Sequence, residues 1–155
     1  MDALIDALLD WLARNSDYDA RDAPRPEVVE LDAAALTREA YRSAPSLPAG
    51  GIDRRLFALY SWEANPGGTI YILDRASTEG LQAGEDPLEN PVFQERLLHE
   101  LVHHAQHHAG AYARFACPAA GERDAYLIGG EYLRRRHVTD PLPNRHVLAH
   151  VYSRC

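Results

Sequence analysis

Leu4, Ile5, Leu8, Leu9, Trp11 and Leu12 recur at helical spacing through the acidic opening segment, which predicts an amphipathic helix laying one face on a core. The polar stretch from Asn15 to Pro26 reads as a connection. Glu27-Val28-Val29-Glu30-Leu31 predicts a short strand, and Asp32 can cap a helix from Ala33 to about Arg42. Pro45, Pro48, Gly50 and Gly51 mark the span from Ser43 to Asp53 as a loop. Leu56 to Trp62 and Thr69 to Leu73 are rich in aromatic and β-branched residues, and Asn65-Pro66-Gly67-Gly68 between them predicts a hairpin. The segment from Asp74 to Asn90 is a long loop, either a solvated surface connection or a lid.

Asn90-Pro91 is a helix start and Gly110 a stop, framing a helix from Pro91 to Ala109. Within it Leu98, Leu101, Val102 and Ala105 form an apolar stripe, flanked by a polar stripe of His99, His103 and Gln106. Pro118 predicts the opening of a second helix running to about Arg136. A last short helix, Asn144 to Tyr152, follows the Pro141-Leu142-Pro143 break. This order of elements predicts an α+β fold: a small twisted sheet, its hairpin packed on the helix that bears His99, and the next helix alongside.

The polar stripe carries the chemistry. His99-Glu100-Leu101-Val102-His103 places two imidazoles one helical turn apart, able to converge on one ion. Glu100 points about a hundred degrees around from His99, suited to act as a general base on zinc-bound water rather than as a ligand. Glu122 falls near the start of the second helix, where the helix dipole favours a carboxylate. Two histidines and a glutamate leave the fourth zinc position to water, as in catalytic rather than structural sites. Asp124 and Glu131 are the substitutes should Glu122 not reach. His104, His107 and His108 also have metal-compatible spacing, but they lack an intervening base and are read as surface or supporting residues.

With His99-Glu100-x-x-His103 followed by Glu122-x-x-Ala125, the chain resembles the gluzincin branch of zinc metallopeptidases. More narrowly, the histidine motif, the Cys117-Pro118 before the glutamate helix and the hairpin from Leu59 to Leu73 are similar to small bacterial zincin-like proteins grouped as a domain of unknown function. That likeness spans roughly Leu56 to Leu133. It implies one Zn2+ held by His99, His103 and Glu122, Glu100 as base, and hydrolysis of peptide or other amide bonds. It also implies that part of the hairpin from Leu56 to Leu73 binds an extended peptide or protein substrate along its edge. No counterpart is evident of the carboxylate that supports the metal ligands from behind in larger gluzincins, or of their oxyanion-stabilising histidine. Tyr126, His137 and His146 are candidate donors to the oxyanion; Tyr126, one turn after Glu122, is placed in the catalytic set, with a packing role as its alternative. Ala125 would let the two helices approach closely. The competing reading is a non-catalytic zinc-binding module that grips a peptide or protein partner.

Composition bounds these readings. The chain of 155 residues fits one domain, with 1–45 as a helix-strand-helix part and 56–136 as the metal-site core. A net charge of -7 argues against general nucleic-acid binding, which needs a basic surface. The run Arg134-Arg135-Arg136 reads as positive charge at a helix C-terminus. No stretch is apolar enough for a membrane span. The acidic opening differs from a signal peptide, which predicts a cytoplasmic protein, or an exported one if the chain is a trimmed mature form. Cys117 and Cys155 are either a disulfide or two free thiols.

Overall fold

The computed structural model describes residues 1–44, 46–63, 65–77 and 86–155. Its central element begins at Asn90, whose side-chain oxygen accepts from the backbone N–H groups of Val92 at 2.9 Å and Phe93 at 3.2 Å. With Pro91 in the first turn, this starts helix α3, Pro91–His108. Gly110, at φ 63, then turns the chain away, as only glycine does without strain. The apolar stripe of Leu98, Leu101, Val102 and Ala105 is 0% exposed. Phe93, Leu97, His104 and Gln106 are equally inaccessible, so α3 is buried on most of its circumference. This exceeds the one-sided burial the stripe predicts.

Helix α1, Asp2–Asn15, lays Ile5, Leu8, Leu9 and Leu12 into the core, with Leu4 and Trp11 half-buried beside them. It outruns the expected apolar segment because Asn15 and Ser16 donate side-chain hydrogen bonds to the Trp11 and Leu12 carbonyls and complete its last turn. Helix α2, Ala33–Ala40, starts where Asp32 accepts from the Ala35 N–H at 2.7 Å.

Strands β1 (Glu27–Leu31), β2 (Ala58–Ser61) and β3 (Thr69–Leu73) form a sheet in the order β1-β3-β2, with β1 parallel and β2 antiparallel to β3. Ile70 and Ile72 on β3 are 0% exposed and join α1, α3 and α4 in one apolar cluster. The turn before β3 is held against the rest of the chain: Gly67 lies on the Pro24 and Arg25 backbone with no room for a Cβ.

Helix α4 is Glu122–Arg135 and α5 is Arg145–Tyr152. Pro118 opens the segment as a 3-10 turn, Pro118–Gly121, that continues directly into α4, so the α-helical part begins at Glu122. Cys117 and Cys155 form a disulfide, with Cα atoms 5.8 Å apart. The predicted long loop holds two 3-10 turns, Arg75–Ser77 and Pro87–Glu89. Residues 78–85 of the segment weighed as a lid lie outside the described residues. The architecture is α+β, and among the described residues no helix is long and apolar enough to cross a membrane.

Candidate metal centre

His99 and His103 stack one above the other on α3, their Nε2 atoms 3.3 Å apart. Helix α4 crosses beside them, and Ala125, 0% exposed, keeps its side of the contact thin. Glu122 thereby brings Oε2 to 3.2 Å from His99 Nε2 and Oε1 to 3.5 Å from His103 Nε2. One ligand atom from each residue lies within 4.8 Å of the other two. A tetrahedral zinc with bonds of ~2.0–2.1 Å has ligand-to-ligand edges of about 3.3 Å. The His99–His103 spacing of 3.3 Å and the His99–Glu122 Oε2 spacing of 3.2 Å match that edge, and the donor set of two imidazoles and a carboxylate suits zinc, so these three residues can hold a metal ion.

Charge at the site follows from burial and pairing. Burial opposes ionisation of Glu122, but hydrogen bonds with His103 and His99 outweigh it and hold the carboxyl well below the usual carboxylate range. Burial likewise disfavours a charged His103, yet the Glu122 hydrogen bond and the Glu100 charge leave its pKa raised. A metal therefore competes with a proton there. Burial pushes the Glu100 carboxyl up, against the pull of His99 and His103. That bias towards accepting a proton is what a general base near neutral pH needs.

The triad opens into a cleft of about 570 Å³ that Glu100, Tyr60, Trp62, Tyr112, Tyr126 and Arg145 help to line. Tyr126 sets its ring edge-on to His99 at 4.9 Å between centroids and stacks on Tyr152 of α5 at 5.8 Å. Burial, reinforced by the Glu122 charge, raises its pKa, so the hydroxyl stays protonated at neutral pH. The floor on the α5 side is ionic: Arg145 donates to Glu95 at 2.7 Å and to Asp140 at 2.6 and 2.9 Å.

Residues 55–60 form the opposite bank. The Leu73 N–H donates to the Phe57 carbonyl at 2.8 Å. By the alternation of an antiparallel ladder, Phe57 and Leu59 turn their peptide groups to β3, while those of Ala58 and Tyr60 face the outer edge.

Of the residues singled out by sequence, His99, Glu100, His103, Glu122 and Tyr126 come together. His137 and His146 are exposed and do not line the cleft. Asp124 accepts from the Tyr18 hydroxyl at 2.6 Å, and Glu131 pairs with Arg134 and Arg135, so neither substitutes for Glu122. His104 is not a surface residue: it is 0% exposed, and its ring N–H can donate to the Gly67 carbonyl at 3.1 Å. Burial first, then His108, lowers its pKa to about 4, leaving it neutral. His107 stacks on Trp62 at 5.5 Å.

Three contributors escaped the sequence reading. Tyr112 places its hydroxyl 3.2 Å from His103 Nδ1, and the signal was the turn enforced by Gly110, which folds the chain back over the helix end. Gln106 contacts the same nitrogen at 3.0 Å; it was visible on the polar stripe but had no assigned task. Arg145 has no local signal, since only tertiary packing brings α5 to the cleft.

A family model described as "Domain of unknown function (DUF6647)" matches residues 1–155. No curated protein and no solved structure matches the chain.

Proposed function

We propose that this chain, which belongs to the DUF6647 family, is a zinc-dependent hydrolase of peptide bonds, of the gluzincin kind. The observation that carries the reading is the meeting of a three-ligand triangle and a buried carboxylate in one cleft bordered by a strand edge. Zinc bound by His99, His103 and Glu122 would supply Lewis acidity, acidifying water and polarising a carbonyl.

Glu100 takes the proton of the attacking water and delivers it to the leaving amine. Its burial favours the first transfer, and the proton it then carries is available for the second. Tyr126, protonated and on the cleft wall, donates a hydrogen bond as charge develops on the carbonyl oxygen. The outward peptide groups of Ala58 and Tyr60 pair with an extended substrate backbone, which makes peptides the natural substrate class.

Metal analysis of the purified protein, with peptide-library cleavage measured with and without a chelator, tests the proposal. One zinc per chain and chelator-sensitive cleavage are expected. Glu100→Gln should retain zinc while cleavage falls by ~10²–10⁴-fold. Zinc retention without any turnover in the unsubstituted protein would leave a metal-binding module that grips a peptide or protein partner. A chain that binds no zinc refutes both.

A further inference from the structure

We infer that Gln106 is the positioning residue of the metal centre: a single buried amide that fixes which nitrogen His103 presents to the metal and anchors the backbone just before Glu122. The inference rests on the metal site proposed above and concerns how the chain prepares it.

Gln106 is 0% exposed, so its hydrogen bonds have no water to replace them. Its Nε2 lies 2.9 Å from the Gly121 carbonyl oxygen, and a carbonyl only accepts. The amide nitrogen must therefore face Gly121, which fixes the other end: Oε1 faces His103 Nδ1 at 3.0 Å. Oε1 also only accepts, so Nδ1 carries the hydrogen. In the neutral ring the lone pair is then on Nε2, the atom turned towards His99 and Glu122. The Tyr112 hydroxyl, 3.2 Å from the same Nδ1, can donate or accept and does not decide the tautomer.

The second half of the clamp acts on α4. Gly121 immediately precedes Glu122, and a Cβ there would fall 2.6 Å from Gln106 Oε1 and 3.3 Å from the Phe115 ring. Glycine is what lets the amide close on this carbonyl, so ligands from two helices are placed by one side chain.

Two measurements on the full chain test this. The first is zinc affinity by competition with a chromophoric chelator, with cobalt(II) absorption reporting coordination. Gln106→Leu should weaken zinc binding by ~10–100-fold and alter the cobalt spectrum; Gly121→Ala should move both in the same direction, and Tyr112→Phe should have a much smaller effect. The second is ¹⁵N-histidine NMR of the metal-free chain at alkaline pH. His103 should carry its hydrogen on Nδ1, and this preference should be lost in Gln106→Leu that remains folded, but kept in Leu98→Ala, which loosens the core without touching the amide. Unchanged zinc affinity in folded Gln106→Leu, or a His103 tautomer with bare Nδ1 in the unsubstituted chain, overturns the inference and leaves the hydrolase reading standing. If Gln106→Leu does not fold, the Gly121→Ala affinity and the tautomer of the unsubstituted chain decide. Failure of the unsubstituted chain to bind zinc would overturn this inference and the hydrolase reading together.

Discussion

Removing the Cys117–Cys155 bridge by the double substitution Cys117→Ser and Cys155→Ser is expected to destabilise the metal-free protein substantially. The bridge joins residues 38 apart in sequence, and closing a loop of that length in the unfolded chain is worth about 4 kcal/mol at 25 °C in the chain-entropy model. The native tail has other attachments: Arg145 is tied to Asp140 and Glu95, Ala149 is 2% exposed, and Tyr152 stacks on Tyr126. Helix α5 should thus remain docked without the bridge, so the cost appears in global unfolding rather than in prior loss of the tail. For a chain of this size, about 4 kcal/mol corresponds to a fall in Tm of ~8–16 °C. Differential scanning calorimetry of the metal-free forms reads it, with thiol titration of the unfolded, unreduced protein confirming that no free thiol was present. A fall of less than about 2 °C with an unchanged unfolding enthalpy would refute the loop-closure reasoning. Titratable thiols would refute the bridge itself.

Leu98→Ala empties a site that is 0% exposed on the central helix; urea unfolding should show a loss of about 2–5 kcal/mol, and a loss below ~1 kcal/mol would mean the surrounding helices do not pack on it as described. Hydrogen bonds from Arg75 hold the Glu30 carboxyl below its ordinary pKa of 4.5, against a smaller effect of burial. Because the folded form binds this proton less readily than the unfolded chain, the stabilisation is present above that ordinary pKa and lost as pH falls through the depressed one. Glu30→Gln should therefore be less stable than the parent at pH 7, with the gap closing in acid; a gap independent of pH in urea titrations would contradict the assignment. Tyr126→Phe should lower kcat by ~10²-fold or more with zinc affinity unchanged, if its hydroxyl meets the developing oxyanion. An unchanged kcat would return Tyr126 to a packing role against His99 and Tyr152.

The fold was most legible where a short stretch of chain decides it. Asn90-Pro91 and Gly110 bound α3 because capping and φ preferences act within a few residues. Thr69–Leu73 and Glu27–Leu31 emerged as strands with the expected limits. What the sequence does not carry is the pairing: the hairpin implies β2 beside β3, but β1 on the far side of β3, parallel to it, depends on a crossover through α2. Pro118 marked where helical backbone begins but not the kind of turn it begins with. Its fixed φ suits a 3-10 turn as well as an α-helix, and here a 3-10 first turn runs directly into α4 at Glu122.

The candidate site divides along the same line. His99, Glu100 and His103 are legible because helical geometry alone fixes their mutual placement. Glu122 was legible only as a residue type at a suitable distance downstream; its approach to 3.2 Å of His99 requires α4 to cross α3 at one particular height. The amide of Gln106 answers how that height is set, since it binds the histidine of one helix and the backbone entering the other. Such a contact has no signature in periodicity or propensity, because both partners are polar groups that would otherwise face water. It becomes intelligible only once burial forbids leaving either unpaired. The same reasoning accounts for Arg145: a guanidinium 4% exposed must find carboxylates, and Glu95, one turn before His99, is where it finds one. The metal helix is thus fixed on two sides by polar groups that distant segments supply, with the two histidines between them.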